Sequence, residues 1–167
     1  QRTNLPDIYA VGDCAIVKSR ITGKRQWSAM GSTANIAGRA LALNLSGEEM
    51  EYKGCLGTGV VKLMAGLNGA RTGLTEAQAK AEGLHTVSVL CVSDDKAHYY
   101  PDSSNFITKL IADGDSHRLL GMQVIGSGAV DKMADIAVAG ITMGCRAEDF
   151  ITMDFAYAPP FSTAIHP

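Results

Sequence analysis

The first 50 residues contain an apolar run, a polar stretch and a run with helical periodicity. In order, they predict a strand at Ile8–Val11, a basic loop at Lys18–Gln26 and a helix at Thr33–Leu45. Ser32 or Thr33 can cap the start of that helix, and Ser46-Gly47 predicts its end. Because one strand and one helix cannot bury both faces of a sheet, this part is predicted to be a piece of a larger α/β domain.

From about Gly57 onward, short apolar strands alternate with helical segments. The predicted strands cover residues 59–65, 85–92, 105–112 and 118–125, and the predicted helices follow Thr75 or cover residues 129–143 and 147–153. Asp113-Gly114-Asp115 predicts a hairpin, and Asn68-Gly69 is compatible with another. Strands that arrive as hairpins, with helices between them, predict an α+β fold in which helices pack on an antiparallel sheet.

The composition is that of a folded protein, because 46% of the 167 residues are hydrophobic and 19% are charged. The net charge of −2 argues against broad electrostatic binding to nucleic acid or to an anionic membrane, and no apolar run approaches a membrane span. The cysteines lack metal-ligand spacing. We therefore expect no metal site and buried, reduced thiols in a cytoplasmic protein, with a redox-active Cys14 as the alternative.

The segment Leu5–Asp13 carries the most informative motif. Gly12 allows the backbone to approach a ligand, and Asp13 places a carboxylate at the end of the predicted strand, where it can bind a polyol hydroxyl. The motif resembles the second flavin-binding motif of the FAD-dependent pyridine nucleotide-disulfide oxidoreductases. The resemblance implies that Asp13 holds a ribityl hydroxyl of FAD.

The segment Trp27–Asn35, which opens the predicted helix, extends this resemblance. In the family, the matching helix directs its N-terminus at the pyrimidine edge of the flavin, where its amide groups and dipole stabilise negative charge. The cofactor-binding residues that the resemblance implies are Gly12, Asp13, Ser32, Thr33 and Ala34. The alternative is that Thr33 and its neighbours only cap a surface helix.

The order of the segments after Gly57 is similar to that of the family's dimerisation domain, so the resemblance covers nearly the whole chain. It implies that residues 1–50 end an FAD-binding domain and that residues 51–167 form the dimerisation domain of a homodimer. FAD and NAD(P)H domains are expected upstream in the same chain. The resemblance also suggests one strand from Gly59 to about Thr72, which leaves the turn at Asn68-Gly69 open.

Two tyrosine-bearing segments, Ala97–Pro101 and Asp154–Ser162, resemble the CoA-disulfide reductase, NADH oxidase and NADH peroxidase branch. There, tyrosines of this domain reach across the dimer towards the partner's flavin and active-site cysteine. The resemblance implies a catalytic role for Tyr157 and substrate contacts for Tyr99 and Tyr100, since a phenol can hydrogen-bond a sulfur or relay a proton. Ordinary packing of the rings is the alternative.

His166 is the second candidate catalytic residue. The ending Thr163–Pro167 is similar to the His-Pro motif of glutathione-reductase-type enzymes. The histidine of that motif donates a proton at the partner's disulfide, a task that suits the pKa of imidazole.

The sequence lacks a glycine-rich dinucleotide loop, because in Gly126–Asp131 an aspartate replaces the third glycine. We therefore predict that the segment alone is inactive. It would complete the flavin site and the dimer of an FAD- and NAD(P)H-dependent oxidoreductase acting on CoA disulfide, a persulfide or polysulfide, peroxide or dioxygen. The rival hypothesis is a non-catalytic α+β association module whose Gly12-Asp13 turn is only structural.

Overall fold

The computed structural model describes residues 1–165, which divide into two compact units, one from Gln1 to Gly57 and one beginning at Thr58. In the first unit, strands β1 (Ile16–Lys18) and β2 (Arg25–Trp27) form an antiparallel hairpin, and helix α1 (Gly31–Leu45) follows.

Two sequence predictions for the first unit are wrong. Ile8–Val11 does not form a strand, because its pairing with residues 1–3 is limited to the Arg2–Tyr9 bridge and two flanking backbone hydrogen bonds. A strand needs a partner along its length, and this pairing ends at Ala10. Lys18 and Arg25, at the ends of the predicted loop, are instead cross-strand partners, because the residues on both sides of the turn alternate in exposure and pair in register.

Helix α1 is confirmed, but it begins earlier than predicted. Met30 occupies the N-cap position, so Ser32 and Thr33 lie inside the first turn and do not cap it. The buried positions of the helix are Thr33, Ala37 and Ala40, which share one helical face.

The second unit is built on a five-stranded antiparallel sheet. Its strands are β3 (Gly59–Met64), β4 (Leu67–Gly73), β5 (Thr86–Asp94), β6 (Asn105–Asp113) and β7 (Leu119–Gly126), in the order β3-β4-β7-β6-β5. Its helices are α2 (Glu76–Ala81), α3 (Val130–Met143) and a 3₁₀ helix (Ala147–Thr152). The predicted α+β class, with helices packed on an antiparallel sheet, is confirmed.

The first hairpin of this sheet matches neither of the two predictions, a turn at Asn68-Gly69 or one strand from Gly59 to about Thr72. The chain turns at Ala65-Gly66, where Gly66 has a φ of +75°, and Asn68-Gly69 lies within β4 and pairs with β7. A left-handed backbone is accessible to both glycines, so sequence alone did not distinguish the two turn positions. The predicted hairpin between β6 and β7 is confirmed.

The core of the second unit lies between α3 and one face of the sheet. Its buried residues are Ala70, Phe106, Leu119, Met122, Val124, Val130, Ala134 and Ala137. The helix contributes small side chains, and at Gly140 an added Cβ would lie only 2.5 Å from the ring of Phe150. Small residues on α3 therefore let the 3₁₀ helix pack close to it.

The opposite face of the sheet carries a row of exposed apolar side chains, here called the apolar row. Cross-strand register aligns Val61, Ile125, Ile107 and Val92 along it, with Gly69 between the first two. All four side chains are more than two-fifths exposed. An apolar surface of this kind is typical of a face that another protein surface covers. No helix within residues 1–165 combines the length and the apolarity needed to cross a membrane.

Candidate functional site

Gly12 forms a tight turn beside the start of α1. Its φ is +83°, a conformation that glycine adopts without strain, and the amide of Ala15 donates to its carbonyl at 3.0 Å. A Cβ built at Gly12 would lie 3.8 Å from the Cβ of Ala34. The structure therefore brings Gly12 and Ala34 together, although they are far apart in sequence.

Asp13 is exposed at this turn. Its backbone carbonyl accepts a hydrogen bond from Nε1 of Trp27 at 2.9 Å, which ties the turn to the end of β2. Within residues 1–165, the Asp13 carboxylate has no hydrogen-bond or ion-pair partner. The carboxylate is thus held in place through its backbone while its oxygens stay available to a ligand hydroxyl.

The N-terminus of α1 lies beside this turn and has unused donors. Met30 provides no side-chain cap, and the amides of Gly31, Ser32 and Thr33 have no acceptor among the described residues. Free amides and the positive end of the helix dipole make such a terminus favourable for a negatively charged or polar group. The helix carries no acidic residue in its first turn that would occupy them.

The Thr33 hydroxyl has a structural partner. Its Oγ1 lies 2.9 Å from Oγ of Ser28, and both residues are buried. The Thr33 hydroxyl is therefore engaged within the first unit, whereas its backbone amide has no acceptor among the described residues.

Trp27 also belongs to this site, because its side chain holds the Asp13 turn, a role that the sequence did not indicate. It is the single tryptophan of the chain, and two-thirds of it (66%) is exposed. Its position four residues before the first residue of α1 gave no local pattern, because its partner Asp13 is 14 residues away.

The tyrosine-bearing segments form a second group, in the second unit. The amide of Ala97 donates to the carbonyl of Pro159 at 3.3 Å, so the segment of Tyr99 and Tyr100 is next to that of Tyr157. All three tyrosines are exposed, and Tyr157 is 52% exposed. The segment of the predicted substrate residues Tyr99 and Tyr100 is therefore a neighbour of the segment of the predicted catalytic residue Tyr157, and all three side chains are exposed.

Asp95 closes the loop that carries Tyr99 and Tyr100. Its carboxylate accepts from the amide and the hydroxyl of Ser104, at 2.8 Å and 2.9 Å. A Cβ built at Gly128 would lie 2.7 Å from Oδ2 of Asp95, so the turn before α3 needs glycine to leave room for this carboxylate. Sequence reasoning missed Asp95, since its partner is nine residues away.

The remaining candidates are His166, a metal site and the cysteines. His166 lies outside the described residues. Within residues 1–165, no group of three or more metal-ligating side chains is found. All four cysteines are free thiols, but the predicted burial is wrong for most: only Cys55 is buried, and Cys14 is exposed because it lies in the Gly12 turn.

A family model covers most of the chain. The model of the pyridine nucleotide-disulphide oxidoreductase dimerisation domain matches residues 63–167. The chain is 37% identical to an NAD(P)H sulfur oxidoreductase (CoA-dependent) of Pyrococcus furiosus, over 99% of this chain and 37% of that protein. It is 35% identical to an NAD(P)H coenzyme A polysulfide/persulfide reductase of Pyrococcus horikoshii, with the same coverage of 99% and 37%.

A solved structure has the same fold. An NAD-dependent persulfide reductase from A. fulgidus matches with a TM-score of 0.94 and 36% identity, over 99% of this chain and 31% of that chain. The chain thus spans a little over a third of the length of the two curated relatives, 37% in each case.

Proposed function

The chain belongs to the pyridine nucleotide-disulphide oxidoreductase family through its dimerisation domain, and we propose that it completes the flavin site and the dimer of a longer enzyme. In this proposal, residues 1–50 end an FAD-binding domain and residues 51–167 form the dimerisation domain. The enzyme would use FAD and NAD(P)H to reduce a CoA disulfide, a persulfide or a peroxide.

The observation that carries the proposal is the meeting of three features at one place in the first unit. A glycine turn, an available carboxylate and an uncapped helix N-terminus lie together at Gly12, Asp13 and the first turn of α1. Asp13 would accept a hydrogen bond from a flavin polyol hydroxyl, and the amides of Ser32 and Thr33 would face a polar edge of the ring system. When bound, FAD supplies two-electron redox chemistry between NAD(P)H and a sulfur or oxygen acceptor.

Tyr157 would act at the acceptor. Its exposed hydroxyl lies on a surface shared with the Tyr99 and Tyr100 segment, which suits contact with a partner subunit and its substrate. A phenol there can donate a hydrogen bond to a thiolate or persulfide sulfur and hold or return a proton. His166 is proposed as a second proton donor.

The names of the relatives favour a sulfur acceptor, because both Pyrococcus proteins are described as acting on sulfur, polysulfide or persulfide with CoA. The second candidate function is a non-catalytic association module. The apolar row favours it, since an association surface requires no flavin. Flavin binding by the longer protein separates the two candidates.

The test is the retention of FAD by the Asp13→Ala variant of the full-length protein. Loss of one charge-assisted hydrogen bond, about 1.5–3 kcal/mol, should weaken FAD binding about tenfold to a hundredfold while the fold is kept. Glu49→Gln, which also removes an exposed carboxylate from the first unit, is the matched control and should retain FAD. Equal retention by wild type and Asp13→Ala after dialysis would refute the assignment of Asp13.

A further inference from the structure

We propose that Ser162 is a positioning residue for Tyr157, an inference that rests on the proposed role of Tyr157. Its hydroxyl closes the short loop from Ala156 to Ser162, here called the tyrosine loop, in which Tyr157 is the second residue. By fixing the backbone carbonyl that precedes Tyr157, the hydroxyl restricts the direction in which the phenol points.

Three hydrogen bonds hold the tyrosine loop. Oγ of Ser162 donates to the carbonyl of Ala156 at 2.9 Å. The amides of Phe161 and Ser162 both donate to the carbonyl of Ala158, at 2.9 Å and 3.2 Å. Within the described residues, the Ser162 hydroxyl is the one side-chain group that bridges the two ends of the loop. The backbone bonds alone close only its second half, after Tyr157.

Packing within the chain itself does little to hold this loop. Tyr157 is 52% exposed and Phe161 is 82% exposed, so neither ring is anchored in the core. Pro160, Phe161 and Ser162 line a cavity of about 290 Å³ between the loop and α3, so the loop is not closely packed against this helix. Where packing is absent, hydrogen bonds set the conformation, and removing one has a local effect with little cost to the fold.

The loop is otherwise rigid in its middle. Pro159 and Pro160 fix their φ angles, and the carbonyl of Pro159 accepts from the amide of Ala97 at 3.3 Å. Tyr157 lies two residues before Pro159, and among the described residues none of the backbone hydrogen bonds of the loop involves its own amide or carbonyl. The Ser162 bond to Ala156 therefore acts at the part of the loop that the prolines do not fix.

The direct test uses a matched pair of variants in the full-length dimer, with a fluorotyrosine placed at position 157 and observed by fluorine NMR. Ser162→Thr keeps a hydroxyl, whereas Ser162→Val replaces it with a side chain that has the shape of threonine but no hydroxyl. We expect a single resonance for wild type and for Ser162→Thr, and a shifted or broadened resonance for Ser162→Val. Ser46→Ala, which removes a similar bond of 2.8 Å to a helix carbonyl, should leave the resonance unchanged.

The kinetic test is a double-mutant cycle with Tyr157→Phe, measuring electron transfer from the reduced enzyme to a disulfide or persulfide. Ser162→Val should slow this step about three- to tenfold in the wild-type background and have no further effect in Tyr157→Phe, because both changes then act through one hydroxyl. Ser162→Thr should restore the rate.

The inference fails if Ser162→Val gives the wild-type resonance, or if it slows the Tyr157→Phe variant as much as it slows wild type. A changed resonance together with full activity of Tyr157→Phe supports the positioning role of Ser162 but refutes the proposed catalytic role of Tyr157. The two failures are therefore distinguishable.

Discussion

At the scale of single residues, Tyr157 carries the proposed chemistry of the second unit. It is exposed and lies in the tyrosine loop, and that loop contacts the segment of Tyr99 and Tyr100 through the Ala97 amide. An exposed phenol without a core contact has little role in stability, so its substitution should affect function more than folding.

We predict that Tyr157→Phe in the full-length dimer slows the transfer of electrons to a disulfide or persulfide. A proton-transfer role is typically worth about 10²–10⁴-fold, whereas an orienting hydrogen bond gives about tenfold or less. Reduction of the enzyme by NAD(P)H should be nearly unchanged, since Tyr157 is proposed to act only at the acceptor. Stopped-flow measurement of the two half-reactions checks this, with Tyr9→Phe as a control for the loss of a surface hydroxyl. Equal rates of acceptor reduction for wild type and variant would refute the catalytic role of Tyr157.

Gly12 and Asp13 could be proposed as candidates from the sequence because their pattern is local, a glycine followed by a carboxylate. The structure places Gly12 in a left-handed turn. Trp27, Asp95 and Ser162 could not be proposed from the sequence, because each acts through hydrogen bonds to a group six to fourteen residues away. No composition or periodicity marks such a pair.

At the scale of elements, α2 shows how a short helix is fixed on the sheet. Thr75 and Gln78 form a capping box at its start, with bonds of 3.2 Å and 2.9 Å. Glu76 then accepts from Lys109 of β6 at 2.6 Å and from Ser88 of β5 at 3.0 Å. A six-residue helix gains little stability alone, so these side-chain bonds keep it in place.

These bonds predict a dependence of stability on pH. Hydrogen bonds from Lys109, Lys80 and Ser88 lower the pKa of Glu76 from the ordinary 4.5 to about 2. A lowered carboxyl pKa stabilises the folded state above pH 4.5, and the contribution is lost as the pH falls from 4.5 to about 2.

We expect Glu76→Gln to lower the thermal unfolding midpoint near neutral pH and to bring it closer to that of wild type at acidic pH. Circular dichroism melting curves across this pH range are the measurement, with Glu49→Gln as the control. A constant difference between wild type and Glu76→Gln at every pH would contradict the electrostatic explanation.

The elements were predictable where capping residues and periodicity agreed, as for α2, α3 and the hairpin between β6 and β7. The strand at Ile8–Val11 was not, because an apolar run only becomes a strand when another strand pairs with it. The position of the first sheet turn depended on which of two glycines, Gly66 or Gly69, takes a positive φ.

At the scale of the molecule, the family resemblance and branch predicted from the motifs are confirmed. Dimer formation is a property of the family's dimerisation domain. The apolar row gives a physical reason for association, because four half-exposed aliphatic side chains on one sheet face gain free energy when they are covered. A stable homodimer usually buries on the order of 2,000 Å² or more.

The most direct test is sedimentation velocity of the full-length protein at micromolar concentration, with protein and flavin absorbance recorded together. We expect one boundary with the mass of a dimer, in which the flavin absorbance moves with the protein. A monomer without flavin absorbance would contradict this expectation, and a colourless dimer would leave only the association module.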